Sequence, residues 1–210
     1  MLSRIRKIRD ASLIALVCAV MLLLALGRRT FSYVREKSAR SSGALVTRVL
    51  TADDFELEGI SKEKDVYLTV NDDPKMTYAF DGNLSSVRIE MDYSLEPGEI
   101  VMYYTNPGDE GFSPRKRVWA KPDGENGYVF SLPMQQVSRI RIDPTMYPAN
   151  RLRFGDIEIN PETGAEKFYS VSPDQVFYFL IYAGMASAAL KFLLTLTDRQ
   201  TDKEKGPAQD

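Results

Sequence analysis

If the segment Arg115–Ala120 is extended, Arg115, Arg117 and Trp119 share one face, because side chains alternate along a strand. By the same parity Tyr103 lies opposite the apolar set Ile100, Met102 and Tyr104. An exposed aromatic plane matches the C–H face of a pyranose, and arginine N–H groups meet its hydroxyls in fixed directions. Trp119, Tyr103 and Arg117 are therefore the candidates for a sugar-binding platform. The same residues also fit an ordinary cation–π contact, or a ring closing one end of a sheet structure.

Other chemistry has less to work with. The chain has no histidine and one cysteine, Cys18, inside an apolar run. That removes the usual zinc sites, Ser-His and Cys-His nucleophile pairs and any internal disulfide. Acids are paired at Asp53-Asp54, Asp72-Asp73 and Asp109-Glu110. Two carboxylates opposed across a cleft can hydrolyse glycosides, but neighbours on a strand point to opposite faces. Loop acids can also bind calcium, and solvated turn carboxylates are the plain reading. No catalytic residue, cofactor or metal ligand is assigned, and a non-enzymatic role is expected.

Something must hold the platform residues, and the central sequence is patterned for strands. Short apolar-alternating runs recur from Leu45 to Ile159, separated by turn formers such as Glu96-Pro97-Gly98. The clearest run sets Val87, Ile89, Met91 and Tyr93 against Arg88, Glu90 and Asp92. Further runs are Phe55–Leu57, Val66–Val70, Met76–Phe80, Ile100–Tyr104, Arg115–Ala120, Tyr128–Leu132, Val137–Ile142 and Leu152–Ile159. In the last, Leu152 and Phe154 have one parity and Ile157 and Ile159 the other, which predicts a β-bulge at Gly155-Asp156. The expected class is mainly β: an antiparallel two-sheet jelly-roll-like sandwich of eight or nine strands over residues 45–160, flanked by two transmembrane α-helices.

The flanks carry the apolar runs. Ala11–Gly27 is uncharged, and a second run from Val176 to Thr197 is interrupted only by Lys191. Each is of membrane-spanning composition, and Arg28 and Arg29 can snorkel to extend the first. The expected organisation is a cytoplasmic N-terminus (1–10), a transmembrane helix (11–27), a juxtamembrane stalk (28–44), the sandwich (45–160), a linker (161–174), a second transmembrane helix (175–197) and a cytoplasmic polar tail (198–210). Arg199, Lys203 and Lys205 after the second run favour a cytoplasmic C-terminus, which puts the N-terminus there too and the sandwich outside. Gly184 and Ala188 form a small-xxx-small step suited to helix packing. Lys191 can contact a partner inside the membrane or snorkel to the head groups.

Residues 1–41 hold nine Lys/Arg and two Asp/Glu, residues 42–170 fourteen and twenty-two, and residues 171–210 four and five, for regional nets of +7, −8 and −1. An acidic central region argues against nucleic acid as a partner.

The stretch RIRIDPTMYPANRLRFGDIEI (Arg139–Ile159) and the loop YYTNPGDEGFS (Tyr103–Ser113) resemble parts of jelly-roll, carbohydrate-binding-like modules. Those modules occur in bacterial membrane proteins and glycosyltransferases of surface-polysaccharide assembly. The resemblance covers about residues 55–160 and rests on strand patterns, so it transfers no binding residue. It implies a module similar to carbohydrate-binding domains, displayed outside the membrane. Together with the paired apolar runs and the poor catalytic inventory, the expected role is a two-pass accessory subunit in the cell membrane whose outer domain touches glycan or a partner protein and whose helices dock on a larger membrane enzyme or transporter. A pure protein–protein scaffold is the alternative, and a carboxylate hydrolase a third reading.

Overall fold

A computed structural model describes residues 10–204, with side chains described for residues 12–197. The side chains of the expected cytoplasmic ends, 1–10 and 198–210, lie outside the described residues. The chain divides into two compact units: Val34–Gly164, and the described part of Met1–Tyr33 with Ala165–Asp210.

The first unit is built from ten antiparallel strands: β1 (Arg48–Leu50), β2 (Glu56–Glu58), β3 (Ile60–Glu63), β4 (Val66–Thr69), β5 (Lys75–Tyr93), β6 (Val101–Thr105), β7 (Arg117–Trp119), β8 (Lys121–Pro122), β9 (Gly127–Asp143) and β10 (Arg151–Ile159). The expectation of two separate sheets is corrected in one respect. Met76–Phe80 and Val87–Tyr93, read as two strands, are one 19-residue strand, and Tyr128–Leu132 and Val137–Ile142 are one 17-residue strand. Pairing between β5 and β9 continues through register shifts between Ala79 and Gly82 and between Leu84 and Ser86. The turn-forming residues Asp81-Gly82-Asn83 therefore bend a ladder instead of ending it, as bulges do.

The result is one continuous sheet folded on itself. The early half of β5 and the late half of β9 pair with each other, with β2 on the other edge of β5, β6 on the other edge of β9 and β7 beyond β6. The late half of β5 and the early half of β9 pair with β10 and β8. Side chains from both halves form one core: Met76, Met102, Ile140 and Ile142 from the first, Val87, Ile89, Phe130 and Ile157 from the second, all fully buried. Each such side chain contributes about 1.5–3 kcal/mol of burial. The predicted bulge is present, as the β10–β5 register shifts between Phe154 and Ile157. Gly155 sits where a Cβ would come 2.9 Å from Glu90 Cβ, so the bulge needs its missing side chain.

Two buried asparagines tie loops to this sheet. Asn160, at φ 51°, accepts from the Ser85 amide at 2.8 Å and donates to Asn83 O at 2.8 Å and Val46 O at 3.2 Å. Asn150 accepts from the Leu95 amide at 3.0 Å and donates to Leu95 O at 2.7 Å. Arg40, expected on a stalk, donates to Asn160 O at 3.0 Å and Pro161 O at 2.8 Å and pairs with Glu36 at 3.1 Å.

Helix α1 (Asp10–Ser41), the short α2 (Glu166–Tyr169) and α3 (Pro173–Glu204) account for the flanks. Among the described residues two helices are long and apolar enough to cross a membrane. Their apolar side chains face outward, with Leu23 and Leu24 68% and 69% exposed, unlike a helix that fills a soluble core. Within this unit Arg29 donates to Ser170 O and to Gln175 Oε1, both at 3.0 Å, and the Tyr33 ring meets Phe168 edge-on at 5.4 Å.

Candidate functional site

Strands β6 and β7 are joined by a loop whose base is stapled. The Asn106 amide donates to Asp109 Oδ2 at 2.7 Å, Lys116 Nζ bonds both Asp109 and Asn106 Oδ1, and Asn106 Nδ2 donates to Gln136 O at 2.6 Å. The Lys116 ammonium and the Asn106 amide hold the Asp109 carboxyl below the ordinary value. A loop fixed in this way sets the β6–β7 register, and the register assembles the site.

Tyr103 pairs with Arg117 on one side and with Arg141 of β9 on the other, so Arg117, Tyr103 and Arg141 form one cross-strand line. Val101 pairs with Trp119 and with Asp143, giving a second line beside it. Because Met102, Ile140 and Ile142 point into the core, both lines stand on the outer face. The three residues proposed from sequence are thus brought together. Trp119 is 47% exposed, Arg117 is exposed and Tyr103 is half-buried.

Cation–π contacts order the face. The Arg117 guanidinium carbon lies 4.3 Å from the Trp119 ring centroid, and that of Arg141 lies 4.2 Å from Tyr103. The stapled loop brings Phe112 within 5.4 Å of both Arg139 and Arg141. Arg141 Nη2 donates to Asp143 Oδ2 at 2.9 Å, while Arg141 Nε and Asp143 Oδ1 are buried with no hydrogen-bond partner among the described residues. Burial pushes the Asp143 carboxyl above its ordinary value, against the opposing bond from Arg141.

Sequence reasoning missed Arg139, Arg141, Asp143 and Phe112. The signal was there, since Arg139, Arg141 and Asp143 alternate with Ile140 and Ile142. What it lacked was the register that sets β9 beside β6.

This face offers ring planes and guanidinium edges, the complements of sugar C–H faces and oxygen atoms. At least one acid of each acidic pair has a local structural partner. Asp53 binds Lys62 at 2.5 Å and Tyr67 Oη at 2.8 Å, Asp54 accepts from the Thr51 amide at 2.7 Å, Asp73 binds Lys75 at 2.7 Å, and Asp109 binds Lys116. Among the described residues no three His, Cys, Asp or Glu gather as a metal site. A separate hollow of about 370 Å³ is lined by Tyr93, Glu96, Ile100, Pro122 and Tyr128. In it the two phenols meet at 3.2 Å, and burial drives the Tyr128 hydroxyl well above its ordinary pKa.

On α3 the structure separates the small residues by exposure. Ala183 and Ser187 are buried, and Ser187 Oγ donates to Ala183 O at 2.7 Å. Gly184, Ala188 and Lys191, proposed as the packing face, are exposed, and nothing lies within 4 Å of a Cβ built on Gly184. Both small pairs have the same i, i+4 spacing, which sequence cannot rank.

No protein-family model matches the chain, and no curated protein matches it. Among solved structures it is similar to a low-affinity xylan-binding module of family 86 from the gut symbiont Roseburia intestinalis, with TM-score 0.39 and 11% identity over 57% of this chain and 98% of that one. A family 29 carbohydrate-binding module gives TM-score 0.40 and 11% identity over 61% and 97%. A point variant from the same family gives 0.41 and 11% over 64% and 97%. Sandwiches with unrelated ligands share architecture at this depth, so the functional reading rests on the side chains themselves.

Proposed function

We propose that this chain is a non-enzymatic, two-pass membrane protein that presents its sheet domain outside the cell membrane, where the β7–β6–β9 face contacts glycan. The observation that carries this reading is the register placing Trp119, Arg117, Tyr103 and Arg141 together on one outer face. A half-exposed indole with an arginine stacked on it gives a sugar both a plane to lie on and donors at its edge. Two apolar helices support the anchor, and Arg199, Lys203 and Lys205 support cytoplasmic ends. The role is that of an accessory subunit in bacterial envelope-polysaccharide assembly, with α1 and α3 docking on a larger membrane enzyme or transporter.

The test uses the full-length protein in nanodiscs of zwitterionic lipid, probed with a glycan array and calorimetry. The expected result is binding of a surface polysaccharide that is lost in Trp119→Ala and Tyr103→Ala. Absence of any glycan binding, or binding unchanged in both variants, overturns the reading in favour of a protein-only scaffold.

A further inference from the structure

We infer that the glycan is acidic: the β7–β6–β9 face is built to take a polysaccharide carrying carboxylate or phosphodiester groups. This rests on the glycan-binding reading above and adds the class of ligand. The region around the face is rich in acid, with twenty-two Asp/Glu against fourteen Lys/Arg over residues 42–170. Among its described residues Lys62, Lys75, Arg88, Lys116 and Arg141 are paired with carboxylates. On this face Arg117 and Arg139 are not. Among the described residues neither has a carboxylate within ion-pair distance, and each is held by a ring alone, Trp119 and Phe112 respectively.

Stacking leaves a guanidinium's donors free. A ring covers the π face of the cation, while its N–H groups lie in the plane and point sideways. Those in-plane N–H groups match the two-oxygen edge of a carboxylate or phosphate, which they bind as a charge-assisted fork. A neutral hydroxyl takes only one weaker bond from the same group. Arg117 pairs with Tyr103 on one side of β6 and Arg139 with Thr105 on the other, which sets their backbones about 12 Å apart. That spacing suits successive charged units of a chain laid across the strands. Arg141 is already neutralised by Asp143, so the unmatched charge sits at Arg117 and Arg139.

The experiment titrates full-length protein in zwitterionic nanodiscs with three probes: polygalacturonate for carboxylate, a poly(glycerol phosphate) chain for phosphodiester, and neutral xylan. At low salt at least one acidic chain should bind about tenfold tighter than xylan, and that advantage should fall as salt rises. Whichever acidic probe binds better identifies the anion. Arg117→Gln and Arg139→Gln should each weaken the acidic chain about fivefold and weaken xylan clearly less. Thermal melts of both variants check that the sheet is intact, and Arg117→Lys, which keeps the charge and loses the fork, should recover only part of the affinity. Equal or tighter binding of xylan, or acidic binding indifferent to both substitutions, overturns this inference and leaves the glycan-binding reading standing. If none of the three binds and the wider glycan array is also blank, both fall.

Discussion

The Arg117 guanidinium stands 4.3 Å from the Trp119 ring centroid, with the two residues on one face of β7 and Val118 turned inward between them. A cation over an exposed indole is worth about 0.5–1 kcal/mol. Trp119→Ala should therefore cost the fold about that much and still abolish glycan binding. Denaturant titration and calorimetry on the same sample separate the two effects. A loss of several kcal/mol in stability would make Trp119 a structural residue and remove it from the site.

Asn160 is buried at φ 51°, and its amide links three chain segments. Asn160→Ala leaves the Ser85 amide and the Asn83 and Val46 carbonyls without that partner, and should destabilise the sheet unit by about 3 kcal/mol. Asn160→Gly loses the same bonds but adopts positive φ freely, so it should be about 1 kcal/mol less damaging than alanine. Equal melting temperatures for the two variants would show that the backbone at residue 160 relaxes, and that strain plays no part.

Much of this fold was legible. The alternation in Val87, Ile89 and Met91 matches their full burial, and the parity flip in Leu152–Ile159 located the bulge. Parity also placed Trp119, Arg117 and Tyr103 outward. What sequence could not supply was long-range pairing. Nothing local says that Asp81-Gly82-Asn83 bends β5 instead of ending it, because a turn and a bulge use the same residues. Nothing local says that Arg141 lies beside Tyr103, 38 positions earlier, since strand order is fixed by closure of the whole core. The role of Asn160, read as the last residue of the sandwich, was not legible because its partners, from Val46 to Ser85, are distant in sequence.

Two carboxyls should respond to pH in opposite senses. Asp109 is held below 3.8, so the folded state binds its proton less readily than the unfolded chain. Its stabilising pair with Lys116 is in place above about pH 3.8 and disappears as pH falls through the folded value. Asp143 is raised above 3.8 by burial, so the folded state holds its proton more tightly, and its contribution declines as pH rises from about 3.8 through the folded value. Melting curves from about pH 3 to about pH 7 should therefore show Asp109→Asn losing ground to wild type as pH rises, and Asp143→Asn gaining. Parallel curves for Asp143→Asn and wild type would show that the Arg141 bond cancels the burial.

Arg29, just past the first apolar run, donates to Ser170 O and Gln175 Oε1, just before the second, and Tyr169 Oη donates to Thr30 Oγ1 at 3.1 Å. The exit of α1's apolar run and the entrance of α3 are therefore neighbours, as required of two spans that cross in opposite directions. In the two-pass reading proposed above, the basic residues that follow α3's apolar run would put both termini in the cytoplasm and the loop carrying Ser113 outside. In a Cys18→Ser background, Ser113→Cys should react with an impermeant maleimide on intact cells, and Gln209→Cys only after permeabilisation. Arg29→Ala should leave that pattern unchanged while making the segment between Ser170 and Gln175 more sensitive to protease, because the clasp orders the helix ends and the charge distribution sets their sides. Labelling at Gln209→Cys from outside, with Ser113→Cys protected, would invert the topology and remove the face around Trp119 from any extracellular glycan.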